Sequence, residues 1–324
     1  MKSWWIVTKD HKTVMEPREV PVPQPKANEV VIKVHASAMN RGEIFAGGVM
    51  HGGPEKLGGG EASGVVHAVG GDVKHVKVGD AVFGRVRGAF AEYCVTDAPQ
   101  VLKKPEKLSW EQAAAVPVSF ITAWEMIYLY GKMKKGETLL IMGASSGAGV
   151  ASIQIAKAMG ARSIGTSGSQ AKLDKLKAVG LDVGIATRKP DFGDAVLKAN
   201  GGKGVDLVIN GVGGTMFAEC VRVLADHGRL ATVGYVDNTF KAEIDLNAVH
   251  ARRLEIFGVS NAHLSAEEKA ASTAGFVRDV LPMIADGRIV PLIDRVYPFD
   301  EMPAAKACMD DSAMVGKIVV RVAD

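Results

Sequence analysis

Between residues 138 and 260 six short runs, TLLIMG, SIGTS, DVGIA, VDLVIN, RLATVG and LEIFGVS, read as strands, most of them separated by a helix-length segment. This alternation leaves little choice of fold. Parallel strands need crossover connections, so strands alternating with helices imply a doubly wound parallel sheet. The remaining residues are enough for a second domain: 324 residues with 47% hydrophobic content can bury a sizeable core, and the usual domain size suggests two.

Before residue 100 the texture is different. EVVIKVHASAMN (Glu29 to Asn40) alternates as a half-buried strand does, ASGVVHAVG and DAVFGRV follow at short spacing, and VPVPQP is an extended connector. A small β-barrel-like domain is expected there. After Ser260 a long helix, SAEEKAASTAGFVRDVLPMIADG, precedes IVPLIDRVYPFDEMPAAKACM and a final strand, GKIVVRV, a tail that pattern alone does not place. No internal repeat is visible, which argues against a solenoid.

Charge and cysteine use exclude several classes. A formal net charge of +3, with Lys and Arg scattered among acids, does not announce a nucleic-acid partner. Cys94, Cys220 and Cys308 are far apart and odd in number, so no disulfide framework is expected and a reducing, cytoplasmic setting fits. The N-terminus has no signal-like apolar stretch, and no run of about 18 apolar residues occurs, so neither secretion nor a membrane partner is expected.

The first of the six strands leads into GASSGAGVASIQIAKAMGA, with glycines at 143, 147 and 149. The usual dinucleotide fingerprint is G-x-G-x-x-G; this one is G-x-x-x-G-x-G. A tight strand-to-helix turn still presents unpaired N–H groups at the positive end of a helix dipole, which a pyrophosphate satisfies. Gly147 and Gly149 meet the need for close backbone approach, and Ser145 and Ser146 add hydroxyls. At the end of the next strand an NAD-preferring site places an acid for the ribose 2′-hydroxyl. Here GTSGSQAK offers Ser167, Ser169 and Lys172 with no acid before Asp174, and Arg188 follows the third strand. Hydroxyls and cations hold a 2′-phosphate, so NADPH is expected. Lys172 and Arg188 each have the alternative reading of an ordinary solvated charge.

These stretches, with GGGEASGVVHAVGGDVKHVKVGDAVFG, GAFAEYCVT and LSWEQAAAVPVSFITAWEMI, together resemble the medium-chain dehydrogenase/reductase superfamily over nearly the whole chain. The similarity is to its zinc-free quinone oxidoreductase branch, whose phosphate turn resembles A-x-x-G-x-G, as in Ala144-Ser145-Ser146-Gly147-Ala148-Gly149. The resemblance implies an α/β chain: a Rossmann doubly wound parallel sheet (118–287) inserted in a GroES-like β-rich catalytic domain (1–117 and 288–324), NADPH in the cleft, and a homodimer. It implies cofactor contacts from Thr122, from residues 144–150 including Val150, from Ser167, Ser169, Lys172 and Arg188, and around the nicotinamide from Asn210, Val212, Gly213, Gly234, Tyr235, Phe257, Gly258 and Val259. Zinc relatives place Cys where this chain has Asn40 and His where it has Gly60, before Glu61, and their structural zinc needs four close cysteines where only Cys94 stands. With those ligands missing and no H-x-x-x-H pair, no metal is expected.

Without a Lewis acid to polarise an alcohol, the resemblance implies hydride transfer from NADPH to an activated acceptor, a quinone or an α,β-unsaturated carbonyl. Asn40 is expected near nicotinamide and substrate, its amide donating to a carbonyl oxygen; it can also be read as a residue capping the turn after its strand. Relatives often carry a Tyr in the following loop, but AGGVMHGGPEKLGGGE has none. His51 is the titratable alternative as proton donor, or a plain exposed loop histidine. The seven glycines of that stretch read as a flexible lid. A 2-enoyl thioester reductase and a non-catalytic NADPH-binding protein are the alternative functions.

Overall fold

A computed structural model describes residues 1–10, 12–44, 55–261 and 263–323, which form two compact units. The first contains Met1–Ile121 and Asn261–Asp324, the second Thr122–Ser260. In chain order the first unit supplies β1 (Lys2–Lys9), β2 (Lys12–Glu19), β3 (Glu29–Ala38), β4 (Glu55–Leu57), β5 (Glu61–Val69), β6 (Ala81–Arg85), β7 (Tyr93–Asp97) and β8 (Val101–Lys103). The second supplies β9 (Thr138–Met142), β10 (Arg162–Ser167), β11 (Val183–Ala186), β12 (Val205–Asn210), β13 (Leu224–Thr232) and β14 (Glu255–Gly258), after which β15 (Ile293–Pro298) and β16 (Lys317–Arg321) return to the first.

Unit one holds a three-stranded sheet in the order β2-β1-β4 and a larger one in the order β15-β16-β3-β5-β6-β8, with β7 also paired to β3. The tail that pattern could not place is thus the edge of this sheet: β16 runs antiparallel to β3, with Val319 opposite Ala38. Strand β3 does not alternate as a half-buried strand. It is buried on both faces, because Val30, Ile32 and Val34 pack into one apolar cluster. Ala36 and Ala38 meet Ala114 and Ala115 of the segment after Ser109 in another.

Unit two is the expected parallel sheet, in the order β11-β10-β9-β12-β13-β14. Both faces are covered, so its strands read as continuous apolar runs; Leu140, Ile164, Val208 and Leu230 are fully buried. The chain leaves β9 on one side for β10 and returns on the other for β12, the crossover that opens a ligand crevice at the strand carboxyl ends.

Two expectations shift. The sequence assigned 118–121 and 261–287 to the nucleotide-binding part, whereas both segments lie with unit one. The second segment is held by Arg85 of β6, which donates to Lys269 O (2.8 Å) and Thr273 Oγ1 (3.1 Å) of the helix Ala266–Asp279, to Asn261 Oδ1 (2.9 Å) before it, and to Gln100 Oε1 (2.9 Å). The second half of the glycine-rich stretch is also no lid. Glu55–Leu57 pairs with β1, Gly58 N donates to Trp4 O, and Gly58 O and Gly59 O accept from Phe90 N and Ala89 N. Residues 45–54 lie outside the described residues. Among the described residues no helix is long and apolar enough to cross a membrane.

Arg85→Ala strands several buried acceptors at once. A loss of about 1–3 kcal/mol is expected, measured by urea unfolding, and no loss would show that the helix Ala266–Asp279 is held otherwise.

Candidate active site

The glycine spacing has a local explanation. Gly143 closes β9 with φ +73°, a left-handed conformation that glycine adopts without strain. Ala144 N then bonds Thr166 O of β10 at 2.9 Å, holding the turn to the neighbouring strand. The helix Gly147–Met159 follows, its N-cap Ser146 accepting from Gly149 N at 3.1 Å. A Cβ on Gly149 would lie 2.6 Å from Ala144 O, so this glycine allows the helix to sit against the strand. Gly147, the first helical residue, and Ala148 keep N–H groups that no intrahelical carbonyl reaches. One glycine thus serves the turn, one the packing, and one is left at the anion-binding end. These residues fit a pyrophosphate.

Ser167, Ser169, Lys172 and Arg188 gather at the ends of β10 and β11, which pair with Ser167 opposite Ala186. Ser169 occupies the N-cap of the helix Gln170–Ala178 without using its hydroxyl as a cap. Arg188 lies across Gly168, where a Cβ would come within 2.3 Å of its Nε. Asp174, the first acid after the strand, is paired with Lys177 at 2.9 Å and accepts from Gln170 at 3.0 Å. Thr187, just past β11, donates to Asp191 at 3.0 Å.

Of the remaining unit-two residues, Asn210 ends β12, Phe257 and Gly258 end β14, Val212, Gly213, Gly234, Tyr235 and Val259 follow the ends of β12, β13 and β14, and Thr122 lies in the helix Pro117–Trp124. Asn210 is fully buried and spends its side chain on its own turn: Oδ1 accepts from Val212 N (3.0 Å) and Gly213 N (3.1 Å), and Nδ2 donates to Gly213 O (2.9 Å). It shapes the turn rather than offering a free amide. Gly213 leans on Asp237, whose Oδ1 would lie 2.0 Å from an added Cβ and whose Oδ2 accepts from Thr215 N. Gly234 packs on Gly211 O, and Val259 N bonds Thr232 O at 3.0 Å. Tyr235 and Phe257 are partly exposed, Thr122 is buried, and Gly258 has open space where a Cβ would be.

In unit one, Asn40 closes β3 and is only partly buried. Its Nδ2 donates to Glu61 Oε1 at 2.9 Å, while its Oδ1 accepts from Lys317 Nζ at 2.7 Å. Lys317 also donates to Glu61 Oε1 (2.7 Å) and Met39 O (2.8 Å), and Glu61 Oε2 accepts from Val118 N (2.7 Å). Glu61 is fully buried and Lys317 is 5% exposed. The capping reading of Asn40 gives way to this arrangement, since its side chain faces a buried ion pair. The sequence did not reveal Lys317: a lysine in GKIVVRV reads as one more polar residue on an edge strand. His51 lies outside the described residues.

Glu43 was also missed. Its Oε1 takes the Gly59 N–H at 2.5 Å, but its Oε2 is buried with no hydrogen bond among the described residues. Burial pushes its carboxyl above the usual carboxylate range, against the pull of Lys56 and the Gly59 amide. A Cβ at Gly60 would meet Glu43 Oε2 first, at 3.7 Å. The buried thiols of Cys94 and Cys220 are likewise pushed up by desolvation, which makes them inert. Among the described residues no three of His, Cys, Asp and Glu converge as a metal site would need.

The description "Alcohol dehydrogenase GroES-like domain" matches residues 26–106, and "Zinc-binding dehydrogenase" matches residues 147–274. A quinone oxidoreductase of Homo sapiens is 30% identical over 312 residues, covering 93% of this chain and 92% of its own length. A phenolphthiocerol/phthiocerol polyketide synthase component of Mycobacterium tuberculosis is 31% identical over 307 residues, 94% of this chain; the chain spans only 14% of that protein. Among solved structures, a mycobacterial protein complexed with NADPH superposes with a TM-score of 0.90 at 26% identity, covering 99% of this chain and 100% of its own. An NAD-dependent alcohol dehydrogenase superposes with a TM-score of 0.87 at 29% identity, covering 99% and 100%. The chain therefore belongs to the medium-chain dehydrogenase/reductase superfamily, and within it to the quinone oxidoreductase-like branch.

Glu43 gives a pH prediction. Its folded pKa is raised, so the native state holds the proton that the unfolded chain releases, and stability falls as pH rises above the ordinary carboxylate range. Glu43→Gln, which cannot ionise, is expected to unfold at higher denaturant than the native protein at pH 8 and to lose most of that advantage at pH 5. Equal differences at the two values would show that Glu43 is not protonated in the fold.

Proposed function

We propose that the protein reduces a quinone or an α,β-unsaturated carbonyl with NADPH, without a metal. NADPH, when bound, supplies a hydride and leaves as NADP⁺. A conjugated acceptor takes the two electrons at its far carbon, its carbonyl oxygen becomes the enolate or phenolate oxygen, and delivery of one proton completes the reduction. The protein's part is to meet the charge that develops on that oxygen.

Asn40 carries this reading. Its amide is fixed by Glu61 and Lys317, and among the described residues one Nδ2 hydrogen is left for an acceptor oxygen. The metal-free part of the reading is supported by donor chemistry at the same place: an amide at 40 and no side chain at Gly60 make a poor zinc set beside a lysine that occupies Glu61. The NADPH part is supported by Ser167, Ser169, Lys172 and Arg188 at adjoining strand ends, with Asp174 turned to Lys177. His51 remains the proposed proton donor on sequence grounds. The similarity to a polyketide synthase favours a second acceptor class, a 2-enoyl thioester, over a non-catalytic binding role. A cytoplasmic homodimer completes the proposal. The outer edge of β14 and the exposed Tyr235, Val236, Phe240 and Leu246 support a second copy.

The test follows NADPH absorbance with a panel of quinones, enones and enoyl thioesters. Oxidation above blank with at least one quinone or enone is expected; turnover confined to thioesters would select the second class, and none at all would select the binding role. For the cofactor, Lys172→Ala and Arg188→Ala are each expected to raise the apparent KM for NADPH by about tenfold or more while leaving that for NADH nearly unchanged. Equal effects on both cofactors would remove the 2′-phosphate assignment.

A further inference from the structure

We propose that Lys317 is the positioning residue that decides which end of the Asn40 amide faces the acceptor. The inference rests on the reading of Asn40 as the donor to the acceptor oxygen and adds what makes it a donor.

An amide has two chemically opposite ends of nearly the same shape, and a half-turn exchanges them. In an ordinary surface asparagine both orientations are open. Here each end faces a group that accepts only one. The Lys317 ammonium has three hydrogens to donate and nothing to accept with, and its three bonds go to Met39 O, Asn40 Oδ1 and Glu61 Oε1. The Glu61 carboxylate only accepts, and its Oε1 takes Asn40 Nδ2. Turning the amide over would set NH₂ against an ammonium and oxygen against a carboxylate. Because the pair is buried, no water is at hand to soften either clash.

The backbone delivers these groups to one point. Met39 N bonds Ile318 O at 3.0 Å, so β16 places Lys317 beside Met39 and Asn40, which lie 278 and 277 positions away in the chain. Ser37 lies opposite Ala62 in the pairing of β3 with β5, which brings Glu61 alongside from the other edge. Val118 N then holds the second carboxylate oxygen. With Oδ1 and one Nδ2 hydrogen taken, a single amide hydrogen is left without a partner among the described residues. It therefore selects acceptors that offer an oxygen lone pair, carbonyls and quinones, over groups that can only donate.

The double variant Lys317→Met/Glu61→Gln removes both charges together, so neither is left buried alone, and it frees the amide to turn. Its readouts are the side-chain NH₂ signals of Asn40 in protein labelled with ¹⁵N at asparagine side chains, assigned by their loss in Asn40→Ser, together with steady-state kinetics. In the native protein one Asn40 proton should be protected from exchange, and in the double variant both should exchange freely. The same change should lower kcat by roughly 100-fold, leave the KM for NADPH within about twofold, and cost nothing further in an Asn40→Ser background. Unchanged protection, or losses that add fully to that of Asn40→Ser, would overturn the proposal. If the double variant does not fold, Lys317→Arg decides by the same signals, since a planar fork cannot reproduce the three-way ammonium. Absence of turnover in the native protein would refute the proposed reaction, while the exchange data would still decide the positioning.

Discussion

A buried ion pair joins Lys317 and Glu61 across 256 residues of chain, and the first unit is organised around it. Charges withdrawn from water must be paired and fully hydrogen-bonded, or they destabilise the fold. That requirement is met by a set of partners from β16, β5, the end of β3 and the amide of Val118. The C-terminal strand is therefore not an appendage. It closes the sheet and completes the polar cluster beneath Asn40, which ties the integrity of the fold to the chemistry of the site.

The nucleotide-binding unit solves a different problem with less polar material. Its parallel strands are apolar because both faces are covered, and its chemistry is confined to the carboxyl ends, where backbone N–H groups and a few hydroxyls and cations stand outside the core. The spacing of glycines in the first turn follows from three separate demands. Left-handed backbone is required at 143, close helix packing at 149, and an open amide at 147.

What the sequence disclosed depended on the range of the interactions involved. The six parallel strands were legible because period and composition are local, and so was the glycine-rich turn from strand to helix. The burial of β3 on both faces was not, because it depends on the segment around Ala114 and on β16, both far away in sequence. Pattern alone did not place the helix Ala266–Asp279 and the resemblance put it with the nucleotide-binding part, but two hydrogen bonds from Arg85, to Lys269 O and Thr273 Oγ1, tie it to the other unit. Asn40 was found through resemblance; its orientation was invisible, since nothing around residue 40 announces a lysine at 317. Glu43 escaped for the same reason: only the fold reveals that its carboxyl lies beside Gly60 and that its Oε2 has no hydrogen bond among the described residues.

Asn40 as a hydrogen-bond donor to the acceptor oxygen is tested most directly by a structure with NADPH and a non-reducible enone or quinone analogue. The predicted result is the analogue's carbonyl oxygen about 2.7–3.2 Å from Asn40 Nδ2, with Oδ1 still on Lys317. A carbonyl bound away from Asn40, or an amide turned so that Oδ1 faces the analogue, would contradict it.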